Sequence, residues 1–123
     1  MTDRQWKAKQ FFADRVIRQA ALEGTTLSDA ERATLFWSES DPAFTGSSML
    51  EQALAGNVAE EEYEAKMGGL LARAYASDLA YHPRVADEWR QEQTVLAQGD
   101  HYMSIMIERV LDAPRKPWWQ FWL

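Results

Sequence analysis

The sequence predicts an all-α fold, a compact bundle of four to five helices followed by an irregular aromatic C-terminal tail. Apolar residues recur at spacings of three and four along most of the chain, which is the period of an amphipathic helix. No stretch alternates apolar and polar residues for the length of a strand. Glycine and proline divide this pattern into helical segments. We therefore assign residues 1–112 to a helical bundle domain and residues 113–123 to a Pro/Trp-rich tail.

The first predicted helix runs from Asp3 to Glu23, with Thr2 as its N-cap and Gly24 as its stop. One face is apolar and comprises Trp6, Phe12, Ala13, Val16, Ile17 and Ala20. The opposite face is basic and comprises Arg4, Lys7, Arg15 and Arg18, with two apolar residues, Phe11 and Leu22. A basic amphipathic face is typical of helices that bind membrane surfaces. The alternative is that Phe11 and Leu22 cover neighbouring helices or the tail.

Two capping boxes mark the starts of the next two predicted helices. In each box a serine hydroxyl accepts one free backbone N–H, and a carboxylate three residues later reaches back to another. Ser28–Glu31 opens a second helix that should end before Asp41-Pro42 and bury Leu35, Phe36 and Trp37. Ser48–Glu51 opens a short third helix that Gly56 closes.

The fourth predicted helix begins at its N-cap Asn57 and ends near Tyr81, before His82-Pro83. Its apolar stripe comprises Tyr63, Met67, Leu70, Leu71, Ala74 and Tyr81. Gly68 and Gly69 lie in its middle, where each glycine costs about 1 kcal/mol relative to alanine. We therefore expect a close helix crossing or a kink at this pair.

The last predicted helical stretch runs from Arg84 to about Leu111. Gly99-Asp100 is expected to break or bend it. Its predicted core residues are Val85, Trp89, Val95, Leu96, Tyr102, Met103, Met106, Ile107 and Val110.

Asp78 falls on the apolar stripe of the fourth helix. A carboxylate in that position must be paired, hydrogen-bonded, or exposed at the edge of the core. We predict a buried polar site in which Asp78 is tied to an arginine, a tyrosine or a tryptophan N–H. The alternative is a polar contact in a ligand pocket.

Charge is distributed unevenly along the chain. The net charge is −6, and it is concentrated in residues 20–112, which carry six cations and seventeen acids, whereas both ends are basic. An acidic body repels phosphate, and the sequence carries none of the known nucleic-acid-binding motifs, so we expect no nucleic-acid partner. The chain has neither a secretory leader nor a long apolar run. We expect a cytoplasmic protein, with a peripheral position at the inner face of the membrane as the alternative.

Residues that could carry catalysis are scarce. The absence of cysteine excludes disulfides, thiol nucleophiles and thiolate metal sites. Neither histidine has an acid three residues before it, so the Glu-x-x-His ligand pair of di-iron bundles is missing. The acidic run Glu60–Glu62 points around its helix rather than toward one centre. No glycine-rich phosphate loop or Gly-x-Ser-x-Gly motif occurs. We predict a non-enzymatic protein without catalytic residues, metal or cofactor.

The C-terminal tail is the candidate binding element. Three of the six tryptophans of the chain lie in it, and Pro114 and Pro117 oppose its continuation as a helix. Its candidate binding residues are Arg115, Lys116, Trp118, Trp119, Phe121, Trp122 and Leu123. Such a segment needs a surface that buries it, and the candidates are the protein's own bundle, a groove of a protein partner, or membrane headgroups.

These patterns predict a helical interaction or adaptor protein whose tail docks on a protein partner. One alternative is a peripheral membrane protein, anchored to anionic lipid by the tail together with the basic first helix. A second alternative is a helical sensor that binds a small ligand among its tyrosines and methionines, although the sequence shows no polar constellation that would define the ligand. The sequence leaves the oligomeric state open.

Two stretches, residues 27–39 and 62–71, carry the capping box at Ser28–Glu31 and the amphipathic pattern around Met67. They resemble segments of small uncharacterised bacterial helical proteins. The resemblance implies a helical fold and no particular activity.

Overall fold

The computed structural model describes residues 1–36 and 60–112, and these residues confirm the all-α fold class. They form five helices: α1 (Asp3–Glu23), α2 (Asp29–Phe36), α3 (Glu60–Tyr81), α4 (Val85–Leu96) and α5 (His101–Asp112). The short helix predicted at residues 48–56 lies outside the described residues, as do Trp37 and the tail. No described helix is long and apolar enough to cross a bilayer.

The first helix has the bounds that its capping residues predict. The Thr2 hydroxyl accepts the backbone N–H of Gln5 at 3.2 Å, and the Gln5 side-chain oxygen accepts the N–H of Thr2 at 2.9 Å. At the other end Gly24 has a φ of 69°, and its N–H bonds to the carbonyls of Ala20 and Ala21. A residue with a Cβ would be strained in this left-handed conformation, so glycine ends the helix cleanly.

The predicted last helical stretch divides into α4 and α5 at Gly99-Asp100, the pair expected to break or bend it. The N–H groups of Gly99 and Asp100 both bond to the Leu96 carbonyl, which closes the end of α4. The Asp100 carboxylate then accepts the N–H of Met103 at 3.1 Å and caps the start of α5. One acidic residue therefore ends one helix and begins the next.

The helices enclose a core centred on Trp89. Helix α1 packs against α3 and α4, α5 packs against α4 and α3, and the short α2 packs against α1. The indole of Trp89 is fully buried. Its ring centre lies 5.2 Å from that of Phe12 on α1 and 4.9 Å from that of Tyr75 on α3. These contacts join three helices around one aromatic side chain.

Three predictions about packing are wrong. Tyr81 is 95% exposed because it is the last residue of α3, and Phe36, the last residue of α2, is 49% exposed. Gly68 and Gly69 do not mark a close helix crossing. A Cβ at Gly68 would meet nothing within 4 Å, and one at Gly69 would meet only the side chain of Arg73. Helix α3 continues through the glycine pair, and the kink expected as the alternative stays a prediction.

A buried ion pair that the sequence patterns do not predict joins residues far apart in the chain. Lys9 is only 2% exposed, and its ammonium group donates to the buried carboxylate of Asp100. Charges removed from water need a partner, and this one lies 91 positions away in the chain. The pair ties the middle of α1 to the junction between α4 and α5.

We predict that Asp100→Asn lowers the free energy of unfolding by about 3–5 kcal/mol, because it removes the carboxylate charge that the buried Lys9 ammonium contacts. Asparagine still caps a helix, so this substitution isolates the effect of the charge. Urea unfolding measures the loss. In the matched double variant, Lys9→Met with Asp100→Asn, the loss should be smaller than the sum of the two single losses. Additive losses would show that the two charges are not coupled.

Candidate interaction surface

Three of the four predicted basic residues of α1 are paired with acids on other helices. Arg4 donates two hydrogen bonds of 2.7 Å each to the carboxylate of Glu92 on α4. Arg15 and Arg18 lie 2.7 and 3.1 Å from the carboxylate of Asp78 on α3. Lys7 is exposed, and no ion pair of Lys7 occurs within the described parts of the chain. Much of the basic face therefore serves internal contacts.

Asp78 is the meeting point of three donors. Its Oδ2 accepts hydrogen bonds from Arg15 Nε at 2.7 Å and from the indole N–H of Trp89 at 2.9 Å, while Arg18 bonds to Oδ1. The side chain is only 13% exposed. Arginine and tryptophan are among the partners that the sequence analysis expected for it. The carboxylate joins α1, α3 and α4 at one point.

The pKa of Asp78 lies below its ordinary value of 3.8. Burial by itself raises this pKa, but the hydrogen bonds from Arg15 and Trp89, together with the charges of Arg15 and Arg18, lower it by more. The group is therefore ionised at neutral pH, and its charge is matched by its neighbours.

Phe11 covers the edge of the core instead of forming an open apolar surface. Its ring packs edge-on against Phe12 and Trp89, with ring centres 5.0 and 6.1 Å apart. The guanidinium carbon of Arg15 lies 3.4 Å from the centre of the same ring, a cation–π contact. Leu22, by contrast, is 73% exposed. The interpretation that this pair of residues covers neighbouring helices therefore holds for Phe11 but not for Leu22.

A shallow groove lies between α3 and α5. Its volume is about 320 Å³, and its lining residues are Glu64, Ala65, Gly68, Gly69, Ala72, Met106, Arg109 and Val110. We refer to it as the α3/α5 groove. Gly68 and Gly69 line the groove from α3. No described helix packs closely on α3 at this pair. Met106 and Val110 supply the apolar side chains of the opposite wall.

Polar groups border one part of this groove. The Tyr102 hydroxyl donates to the Glu64 carboxylate at 3.1 Å, and Arg109 approaches the same carboxylate at 3.8 Å. Arg109 is mostly exposed, so its charge is screened by solvent and contributes little to stability. The groove thus combines an apolar interior with a polar rim, as protein-binding surfaces commonly do.

The predicted binding residues of the tail, from Arg115 to Leu123, lie outside the described residues. The described chain ends at Asp112, the last residue of α5, only two positions after the groove residue Val110. Asp112 bonds to Arg90 of α4 at 2.9 Å, which holds the end of α5 against its neighbour. The last described residue therefore lies on the same helix as the groove residues Met106, Arg109 and Val110.

Few chemically reactive arrangements occur in residues 1–36 and 60–112. In these ranges no group of three or more histidine, cysteine or acidic residues is placed to hold a metal ion. Every buried side-chain nitrogen or oxygen there has a hydrogen-bond partner.

The chain matches no protein-family model, and neither a curated protein nor a solved structure is significantly similar to it.

The lowered pKa of Asp78 predicts how stability depends on pH. A carboxylate whose pKa is lower in the folded state stabilises the protein above its unfolded-state pKa, and this contribution is lost as the pH falls toward the folded-state value. Asp78→Asn keeps an acceptor for Trp89 but removes the charge. The difference in unfolding free energy between the two proteins should therefore be largest at neutral pH and shrink below pH 3.8.

Urea unfolding between neutral and acid pH tests this, with Asp14→Asn as the control at an exposed acid of α1. The control should change stability little at any pH. A difference for Asp78→Asn that stays constant as the pH falls would contradict the proposed role of the charge.

Proposed function

We propose that this protein is a non-catalytic helical adaptor that binds a protein partner through its aromatic tail, residues 114–123. The observation that carries this proposal is the concentration of Trp118, Trp119, Phe121 and Trp122 within a few residues of one another. Tryptophan is enriched among the few residues that supply most of the affinity of protein interfaces. In the sequence the tail follows α5, which is packed against α3 and α4.

The charge pairs of α1 favour a protein partner over a membrane. One marginal anchor binds lipid only reversibly, and stable attachment needs a second signal. The basic residues of α1 were the candidates for that signal, each contributing about 1 kcal/mol near anionic lipid. The charges of Arg4, Arg15 and Arg18 are each adjacent to a carboxylate, which reduces the net field available to lipid. Only Lys7 of the original four retains an unpaired charge within the described residues.

The α3/α5 groove supports the adaptor proposal in a second way. It is open, largely apolar, and bordered by exposed polar groups. A bundle with such a groove and such a tail has two elements suited to protein contact. Together they make recognition of another polypeptide the function that the molecule fits best.

We predict that Trp118→Ala with Trp122→Ala abolishes capture of the partner. Truncating a hot-spot residue costs about 2 kcal/mol or more, which is roughly thirtyfold in Kd for each residue. Arg115→Gln with Lys116→Gln should weaken capture mainly at low salt, because exposed charges act through screened fields. Affinity capture with wild type and both variants as matched baits, followed by mass spectrometry, compares them. Equal losses that modest salt removes would show that the tail acts by charge.

We further predict only weak binding of the full chain to vesicles of mixed phosphatidylglycerol and phosphatidylcholine. Cosedimentation measures the bound fraction, and pure phosphatidylcholine vesicles serve as the uncharged control. Lys7→Gln should remove most of any contribution from α1, since its other basic residues are paired. Tight, salt-resistant binding to the uncharged vesicles would favour the membrane alternative over the adaptor.

A further inference from the structure

The two glycines of the α3/α5 groove differ in what surrounds them. Glycine lowers the stability of a helix interior relative to alanine, so a pair in mid-helix normally has a structural reason. A Cβ at Gly68 would meet nothing within 4 Å, whereas one at Gly69 would lie 2.9 Å from the guanidinium of Arg73, which bonds to Glu23. The space they leave is the groove itself, which Met106 and Val110 line from α5.

The volume and chemistry of the groove suit an aromatic side chain. About 320 Å³ lies at the low end of the range of ligand pockets, about 300–1,000 Å³. A whole helix, about 10 Å across, is too large for it. Small residues on α3 and aliphatic side chains on α5 provide apolar walls for an indole ring, and polar groups at the rim remain near the indole N–H.

The tail is the part of the chain that is placed to supply such a ring. From Asp112 back to the level of Met106 is about 9 Å along α5, at 1.5 Å per helical residue. Residues 113–118 can span up to about 20 Å when extended. Trp118 and the residues after it can therefore reach the groove if the chain reverses after α5, and Pro114 and Pro117 oppose a straight helical continuation.

Charge also favours this arrangement. Arg115 and Lys116 are the only charged side chains of the tail, and the carboxylate of Glu64 on α3 lines the groove. A tethered segment has an effective concentration on the order of millimolar for a short linker. Even a weak contact would therefore be populated in the isolated protein.

We propose that, in the free protein, the α3/α5 groove binds a tryptophan of the protein's own tail. The groove then holds the aromatic residues until a partner competes for them. This regulatory consequence depends on the proposed function, but docking of the tail in the groove does not.

Nuclear magnetic resonance with a spin label tests the proposal on the purified full chain. The chain has no cysteine, so Ala72→Cys places one label at the groove. Its paramagnetic effect should broaden the indole N–H signals of the tail, which are assigned by single Trp→Phe replacements. The matched control is Gln10→Cys, at an exposed position of α1, a helix that does not line the groove. This label should leave the tail signals sharp.

A second variant fills the groove. Gly68→Leu places a side chain in the open space and is compatible with a helix. With the label at Ala72→Cys it should restore sharp tail signals, while Gly68→Ala should restore them less. Circular dichroism checks that both variants keep their helices. As an independent readout, Trp118→Ala with Trp122→Ala in the unlabelled protein should shift the backbone amide signals of Gly68 and Gly69.

Two outcomes would overturn the proposal. Tail signals that stay sharp beside the Ala72 label, together with Gly68 and Gly69 amide signals that do not shift in the unlabelled tail variant, would show that the groove does not hold the tail. Broadening that persists when labelled protein is mixed with separately prepared, isotope-enriched unlabelled protein would assign the tail to the groove of a second copy. These samples contain no partner, so their result and that of the capture experiment are independent, and each proposal can fail alone.

Discussion

The indole N–H of Trp89 donates to the carboxylate of Asp78 at 2.9 Å, and the rest of the helix arrangement depends on this contact. The ring of Trp89 is fully buried against Phe12 and Tyr75, so its polar atom needs an acceptor inside the protein. Asp78 supplies that acceptor, and Arg15 in turn neutralises Asp78. Trp89, Asp78 and Arg15 thus link α4, α3 and α1 at one point.

The same cluster shapes the outer surface of the molecule. In the sequence, Arg15 and Arg18 belong to the basic face of an amphipathic helix. In the structure, both form ion pairs with Asp78. Arg4 is likewise held by Glu92. Charges that are matched within the fold contribute little to attraction at a distance. On the proposed function, recognition would therefore use the largely apolar α3/α5 groove rather than the basic face of α1.

How far the fold could be predicted depended on how local each signal is. The bounds of α1 follow from Thr2 and Gly24, and the division between α4 and α5 follows from Gly99-Asp100, because caps and breaks act over only a few residues. The position of Tyr81 on the apolar stripe of α3 predicts a buried side chain. Tyr81 is exposed because the stripe extends beyond the helices that pack against α3. Gly68 and Gly69 stand out in the sequence because glycine lowers the stability of a helix interior. That they line a groove follows only from the position of α5, which forms the opposite wall.

The sequence by itself determined the helical class, the bounds of α1, the break at Gly99-Asp100 and the aromatic character of the tail, since these depend on periodicity, capping and composition. Only the tertiary structure decided which charges are partners. Lys9 and Asp100 are separated by 91 positions, and nothing in the local pattern of either residue indicates the other. Pairing of that kind follows from how the helices pack, because the free energy of a buried charge depends on which groups the fold brings within a few ångströms of it.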